Sequence, residues 1–164
     1  MSSAFIQTFT QNVAYHSDPT AIFATLCENK PNTLLLESAE ISSKNSLKSL
    51  LLVNAAMKIS CLGQSVTFHA LTDNGAAVLP LIAQKLSAQV NVISQTSTEL
   101  QVEFKPAGNN ADEDSKLLAP GIFDGLRCFT ELYQASSLPV FLGGLFAYDL
   151  VANFIPMENI ILQD

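Results

Sequence analysis

Two short leucine-rich runs, Leu34-Leu35-Leu36 and Leu50-Leu51-Leu52-Val53, flank a polar stretch that carries Glu37, Ser38, Glu40, Lys44 and Lys48. Each run is short and lacks a polar break, which suits a strand buried on both faces better than a helix. The residues between them are turn and cap formers, so they predict a loop. The pattern therefore predicts two core strands holding one polar loop, with an acid, a hydroxyl and a base where the strands leave the core. A small zwitterion needs such a set: a carboxylate for its ammonium, a hydroxyl and a base for its carboxylate, and leucine walls for an apolar side chain.

Composition narrows the classes. At 164 residues the chain is long enough for one domain with a real core. Apolar residues make up 48% and charged residues only 14%, which excludes a disordered tail. No apolar run approaches the roughly 20 residues that span a bilayer. The opening MSSAFIQTF has neither the basic start nor the long apolar stretch of a secretory signal, so the expected location is cytoplasmic. Eight basic and fifteen acidic residues give a formal charge of −7, with no basic stripe to meet phosphates. Nucleic acid and membrane are therefore not expected partners. Cys27, Cys61 and Cys128 are widely spaced in apolar surroundings and are expected to be small buried hydrophobes. No CxxC or CxxH spacing suggests a metal site.

Taken in order, residues 1–17 predict an irregular lead-in with one edge strand at most. Asp18-Pro19 predicts a helix start, with Asp as N-cap and Pro in the first helical position. Ile22, Phe23, Leu26 and Cys27 form its apolar face, and Pro31 stops it. Met57–Leu62 and Ser65–Leu71 alternate around a turn at Gly63-Gln64 and predict a hairpin. Asp73-Asn74-Gly75 begins a helix reaching about Leu86, with Val78, Leu79, Ile82 and Leu86 inside. Pro80 conflicts with it and predicts a late or distorted start. Val90–Ile93 and Glu99–Lys105 predict two more strands. Residues 106–116 are expected to form a mobile surface loop, whose acidic run Asp112-Glu113-Asp114 lacks the spacing of a calcium loop. Ile122–Gln134 has the strongest helical stripe, formed by Ile122, Phe123, Leu126, Phe129, Leu132 and Tyr133. A final strand is expected over Val140–Tyr148. Gly143-Gly144 within it marks a bulge or tight crossing in preference to ligand contact. The element order is α+β: a mainly antiparallel sheet with about three helices packed on it.

Two stretches carry a family resemblance. Leu-Leu-Leu-Glu-Ser-Ala (34–39), followed by Leu-Lys-Ser-Leu-Leu-Leu-Val (47–53), resembles the N-terminal regulatory region of anthranilate synthase component I. Phe141-Leu-Gly-Gly-Leu-Phe-Ala-Tyr-Asp-Leu-Val resembles the GGLFAYDLV segment of the same family. The resemblance runs from about Asp18 to the end, so residues 18–164 are expected to be that regulatory region, an incomplete part of the larger chorismate-binding fold. It implies a lyase of tryptophan biosynthesis that converts chorismate and glutamine-derived ammonia to anthranilate and pyruvate, with a glutaminase subunit as partner. It also implies that the catalytic groups and the Mg2+-binding acids lie outside this chain. The chain would then be an inactive N-terminal fragment, with exposed strand edges that allow self-association.

No nucleophile–base pair is evident, and His16 and His69 have no sequence partner; His69 alternates onto the solvent face of its hairpin. The expectation is therefore no catalytic residue and no metal ligand in this chain. By the resemblance, Leu36 is an apolar wall for L-tryptophan, the feedback inhibitor. Glu37 and Ser38 are polar contacts to the amino-acid head, and Lys48 is a charge partner. On the residues alone, Glu37 and Lys48 read as an exposed ion pair worth at most ~1 kcal/mol; the resemblance favours the pocket. The alternatives are the equivalent region of aminodeoxychorismate synthase component I, from folate synthesis, and a stand-alone amino-acid-binding module.

Overall fold

The structure is a computed structural model that describes residues 9–37, 48–105, 112, 118–132, 140–148 and 150. Expectations for residues 1–8, 38–47, 106–111, 113–117, 133–139, 149 and 151–164 fall outside the described residues. The chain divides into two units: Met1–Ala55 with Ser136–Gly144, and Ala56–Ala135 with Leu145–Asp164.

The first unit contains helix α1 (Pro19–Cys27) and strands β1 (Leu34–Glu37) and β2 (Ser49–Leu52). Asp18 caps α1 as expected: its Oδ1 accepts from the Ala21 N–H at 2.9 Å, satisfying one of the orphan donors of the first turn. Glu28 ends the helix in the left-handed region (φ 47°), and its N–H donates to the Ala24 carbonyl. The expected apolar face is only partly covered, since Cys27 is buried while Leu26 is exposed. β1 and β2 pair antiparallel, Leu34 opposite Leu52 through Glu37 opposite Ser49.

These two strands are not buried on both faces. Leu34, Leu35, Leu51 and Leu52 are half-buried, and Leu36 and Leu50 are exposed. The pair forms its own two-stranded sheet, and an isolated ribbon lacks the layers that cover both faces of a central strand.

The second unit is a four-stranded antiparallel sheet in the order β3 (Met57–Leu62), β4 (Ser65–Ala70), β6 (Glu99–Phe104), β5 (Val90–Gln95). Helices α2 (Asp73–Leu86) and α3 (Ile122–Glu131) pack on it. Alternation along β4 and β6 sends Val66, Phe68 and Ala70, and Leu100, Val102 and Phe104, into the core. Leu79, Ile82 and Leu86 of α2 and Ile122, Cys128 and Phe129 of α3 close it from the other side. The Gly121 N–H donates to Asp124 Oδ2 at 2.8 Å at the start of α3. Lys85 of α2 lies 3.0 Å from Glu131 of α3.

Three local expectations need correction. α2 does not start late: Thr72 caps it, accepting from the Gly75 N–H, and Pro80 sits inside the helix. Pro80 is exposed, so the Ala76 carbonyl, which loses its partner to the proline, lies on the side of the helix that meets water. Residues 140–147 form no strand. Alternation there found no neighbouring strand among the described residues to pair the backbone. In α3, Cys128 joins the buried stripe while Phe123 and Leu126 are only half-buried; the Phe123 ring lies 6.0 Å from that of Phe146. With three helices and antiparallel sheets among the described residues, the fold is α+β as expected.

Candidate functional site

The register of the β1–β2 ribbon decides which candidate side chains meet. Leu36 stands opposite Leu50 and Glu37 opposite Ser49, so Lys48 directly precedes the residue paired with Glu37. Leu36, Glu37 and Lys48 are therefore brought to one end of the ribbon, and all three are exposed. Ser38 lies outside the described residues. Side chains alternate along a strand, so Leu34, Leu36, Leu50 and Leu52 share one face, while Leu35, Glu37, Ser49 and Leu51 share the other. A ligand touching both Leu36 and Glu37 must sit across the end of the ribbon.

The opposite end of the leucine face is partly covered. A Cβ on Gly143 would lie 2.6 Å from Leu34 Cδ2 and 2.7 Å from Phe141 Cε1, so the backbone at Gly143 is in close approach to β1. The glycine pair is expected to mark a bulge or a tight sheet crossing; residues 140–147 form no strand, and Gly143 meets a β1 side chain whereas a Cβ on Gly144 would meet nothing within 4 Å. The signal in the sequence was the glycine itself. Its partner, Leu34, was not legible.

The other chemistry-bearing residues assemble into nothing comparable. His16 Nδ1 accepts from the Asp18 N–H at 3.1 Å, next to a shallow groove of about 210 Å3 lined by Ala21, Ile22, Thr25 and Leu26 besides His16. His69 is exposed on β4, as expected, opposite Lys58 and Glu99, and its Nδ1 is 3.5 Å from Glu99 Oε2. Among the described residues, no cluster of three or more His, Cys, Asp or Glu side chains is placed to hold a metal ion. No helix among them is long and apolar enough to cross a membrane. Cys27 and Cys128 are buried, but Cys61 is exposed. It lies on edge strand β3, whose burial fades from half-buried Met57 and Ile59 to exposed Leu62. Burial pushes the Cys128 thiol up to about 11, with the Glu131 carboxylate adding to the shift and Lys85 opposing it.

No protein-family model matches the chain. Curated relatives do. A Haemophilus influenzae protein named anthranilate synthase component 1 is 57% identical over 164 residues, covering 99% of this chain and 32% of the relative. Proteins of the same name from Vibrio parahaemolyticus and Escherichia coli are 46% and 44% identical, over 95% and 97% of this chain and 29% and 31% of their own lengths. The chain thus spans about a third of the length of the curated relatives it matches. Along nearly all of its own length, it is homologous to anthranilate synthase component 1, the family that its leucine hairpin and glycine-pair segment resemble.

Proposed function

We propose that this chain is the tryptophan-sensing part of an anthranilate synthase component I. The full-length enzyme would convert chorismate, with ammonia delivered by a glutaminase subunit, to anthranilate and pyruvate. The observation that carries the reading is the ribbon register, which gathers the exposed Leu36, Glu37 and Lys48 at one end. In this reading Glu37 accepts from the ammonium of tryptophan, Lys48 pairs with its carboxylate, and Leu36 lies against the indole. Ser38, next along the chain, adds a hydroxyl to the amino-acid head. The names of the relatives favour the tryptophan pathway over the folate one. Chorismate and Mg2+ belong to the remainder of the full-length enzyme, and this chain contributes no group to the bond-breaking step.

Inhibition then works by population shift. Tryptophan binds one arrangement of the hairpin better than another, and that arrangement is the less active one. Coupling of this kind is typically about 1–3 kcal/mol and reciprocal, so saturating chorismate weakens tryptophan binding by the same factor. The test is inhibition of the full-length enzyme carrying Glu37→Gln or Lys48→Gln. Loss of a charge-assisted contact raises the tryptophan inhibition constant about tenfold or more, with kcat and the KM for chorismate unchanged. Wild-type inhibition in both variants would remove the reading.

A further inference from the structure

We infer that Gly143 is a positioning residue for the tryptophan site: lacking a side chain, it lets the Phe141–Gly143 segment seat Leu34 and so fixes how β1 presents Leu36 and Glu37. The inference rests on the tryptophan-sensing reading of the hairpin. A Cβ at Gly143 would fall 2.6 Å from Leu34 Cδ2, and 2.7 and 3.1 Å from Phe141 Cε1 and Cζ. Carbon atoms in contact prefer roughly 3.5–4.0 Å. Both obstacles are the ends of side chains, so an alanine there is accommodated by pushing Leu34 and Phe141 aside, not by unfolding the segment.

Leu34 is the first residue of β1, and Leu36 follows on the same face about 6.8 Å further along the strand. Burial grades in the same direction: Leu34 and Leu52 are half-buried, whereas Leu36 and Leu50 are 48% and 39% exposed. The ribbon is therefore contacted at its base, whereas Leu36 and Leu50 toward its other end are exposed. A two-stranded ribbon has little rigidity of its own, so a contact at the base sets the tilt of the end. Pushing the Leu34 side chain off the Gly143 backbone removes this contact at the base, so the end that carries Leu36 and Glu37 is held less firmly. Gly144 provides an internal control, because a Cβ there meets nothing within 4 Å.

The experiment measures tryptophan inhibition of the full-length enzyme, assembled with its glutaminase subunit, for Gly143→Ala, Gly144→Ala and Glu37→Gln. Gly143→Ala is expected to raise the inhibition constant roughly 2- to 30-fold, the range for a residue that acts through packing without touching the ligand. In the absence of tryptophan, kcat and the KM for chorismate stay at wild-type values, which a general loss of structure would not allow. Gly144→Ala leaves all three quantities unchanged. If Glu37→Gln weakens inhibition while Gly143→Ala does not, the positioning role is overturned and the sensing role stands. If Gly144→Ala has the same effect as Gly143→Ala, the Leu34 contact is not the cause and the inference is overturned. If neither Glu37→Gln nor Gly143→Ala changes inhibition, the site itself is misassigned and the inference falls with it. Should Gly143→Ala fail to melt cooperatively, Leu34→Ala, which removes the seated methyls, decides by the same criteria.

Discussion

Gly75, in the first turn of α2, faces the carbonyl oxygen of Ala56 so closely that a Cβ would overlap it. That carbonyl is also held in place, because it accepts from the Leu71 N–H at 2.9 Å. Here, unlike at Gly143, the obstacle is backbone and cannot swing away. Gly75→Ala therefore gains about 1 kcal/mol of helix propensity but forces α2 off the sheet, an overpacking that typically costs 1–3 kcal/mol and here lies at the upper end. A net loss of at least ~1 kcal/mol is expected in urea denaturation; a stabilised variant would show that the approach is not fixed. The sequence marked Asp73-Asn74-Gly75 as a helix start, which explains Asp73 and leaves Gly75 looking incidental. Its reason lies in a residue from a different strand connection, and a one-dimensional pattern does not contain that. The thiols teach the same lesson. All three read alike in sequence, yet Cys61 is exposed, because what covers a residue depends on whether its strand is central or an edge.

At the scale of elements, a helix end was legible where its cap lies in the adjacent residues, and the inner faces were legible from their spacing. The Asp18-Pro19 start of α1 was readable because a cap and its target N–H are three residues apart, and local chemistry suffices. For α2 the expected late start gave too much weight to Pro80 and missed Thr72, whose Oγ1 accepts from the Gly75 N–H at 3.2 Å. Thr72→Ala should lower stability by about 1 kcal/mol, within the range of 0.5–2 kcal/mol for lost caps, read as a lower melting temperature or urea midpoint. An unchanged midpoint would mean the cap is redundant with the packing of Leu79, Ile82 and Leu86. Residues 140–147 mark the opposite limit. Their apolar character predicted a strand, but strands exist in pairs, and no described strand lies alongside. β1 and β2 were legible as two strands, though not as a separate two-stranded ribbon.

Across the whole molecule, burial sorts the cysteines by reactivity. Partial burial also pushes the Cys61 thiol up, which slows it at pH 8, but a thiol reagent should still modify Cys61 before Cys27 and Cys128, which it reaches only as their surroundings open. Uniform labelling of all three would contradict the burial. Cys128 also gives a pH dependence. Its folded value is raised from 9.0 to about 11, chiefly by burial, so the folded state keeps a proton that the unfolded chain has released. The stability it contributes is intact below about pH 9 and is lost as pH rises toward 11. Urea midpoints measured across that window should fall less steeply in Cys128→Ala than in the wild type.

The sequence by itself determined the α+β class, the cap of α1, the turn between β3 and β4, the alternating strands of the second unit and the resemblance to anthranilate synthase component 1, because each of these is written in neighbouring residues or in motifs that stay in order. Tertiary structure alone decided that the leucine strands form a partly exposed ribbon, that their register sets Leu36 opposite Leu50 and Glu37 opposite Ser49, and that Gly143 and Gly75 lie against Leu34 and Ala56. Those facts depend on which segments approach across space, and close packing, not local propensity, sets that.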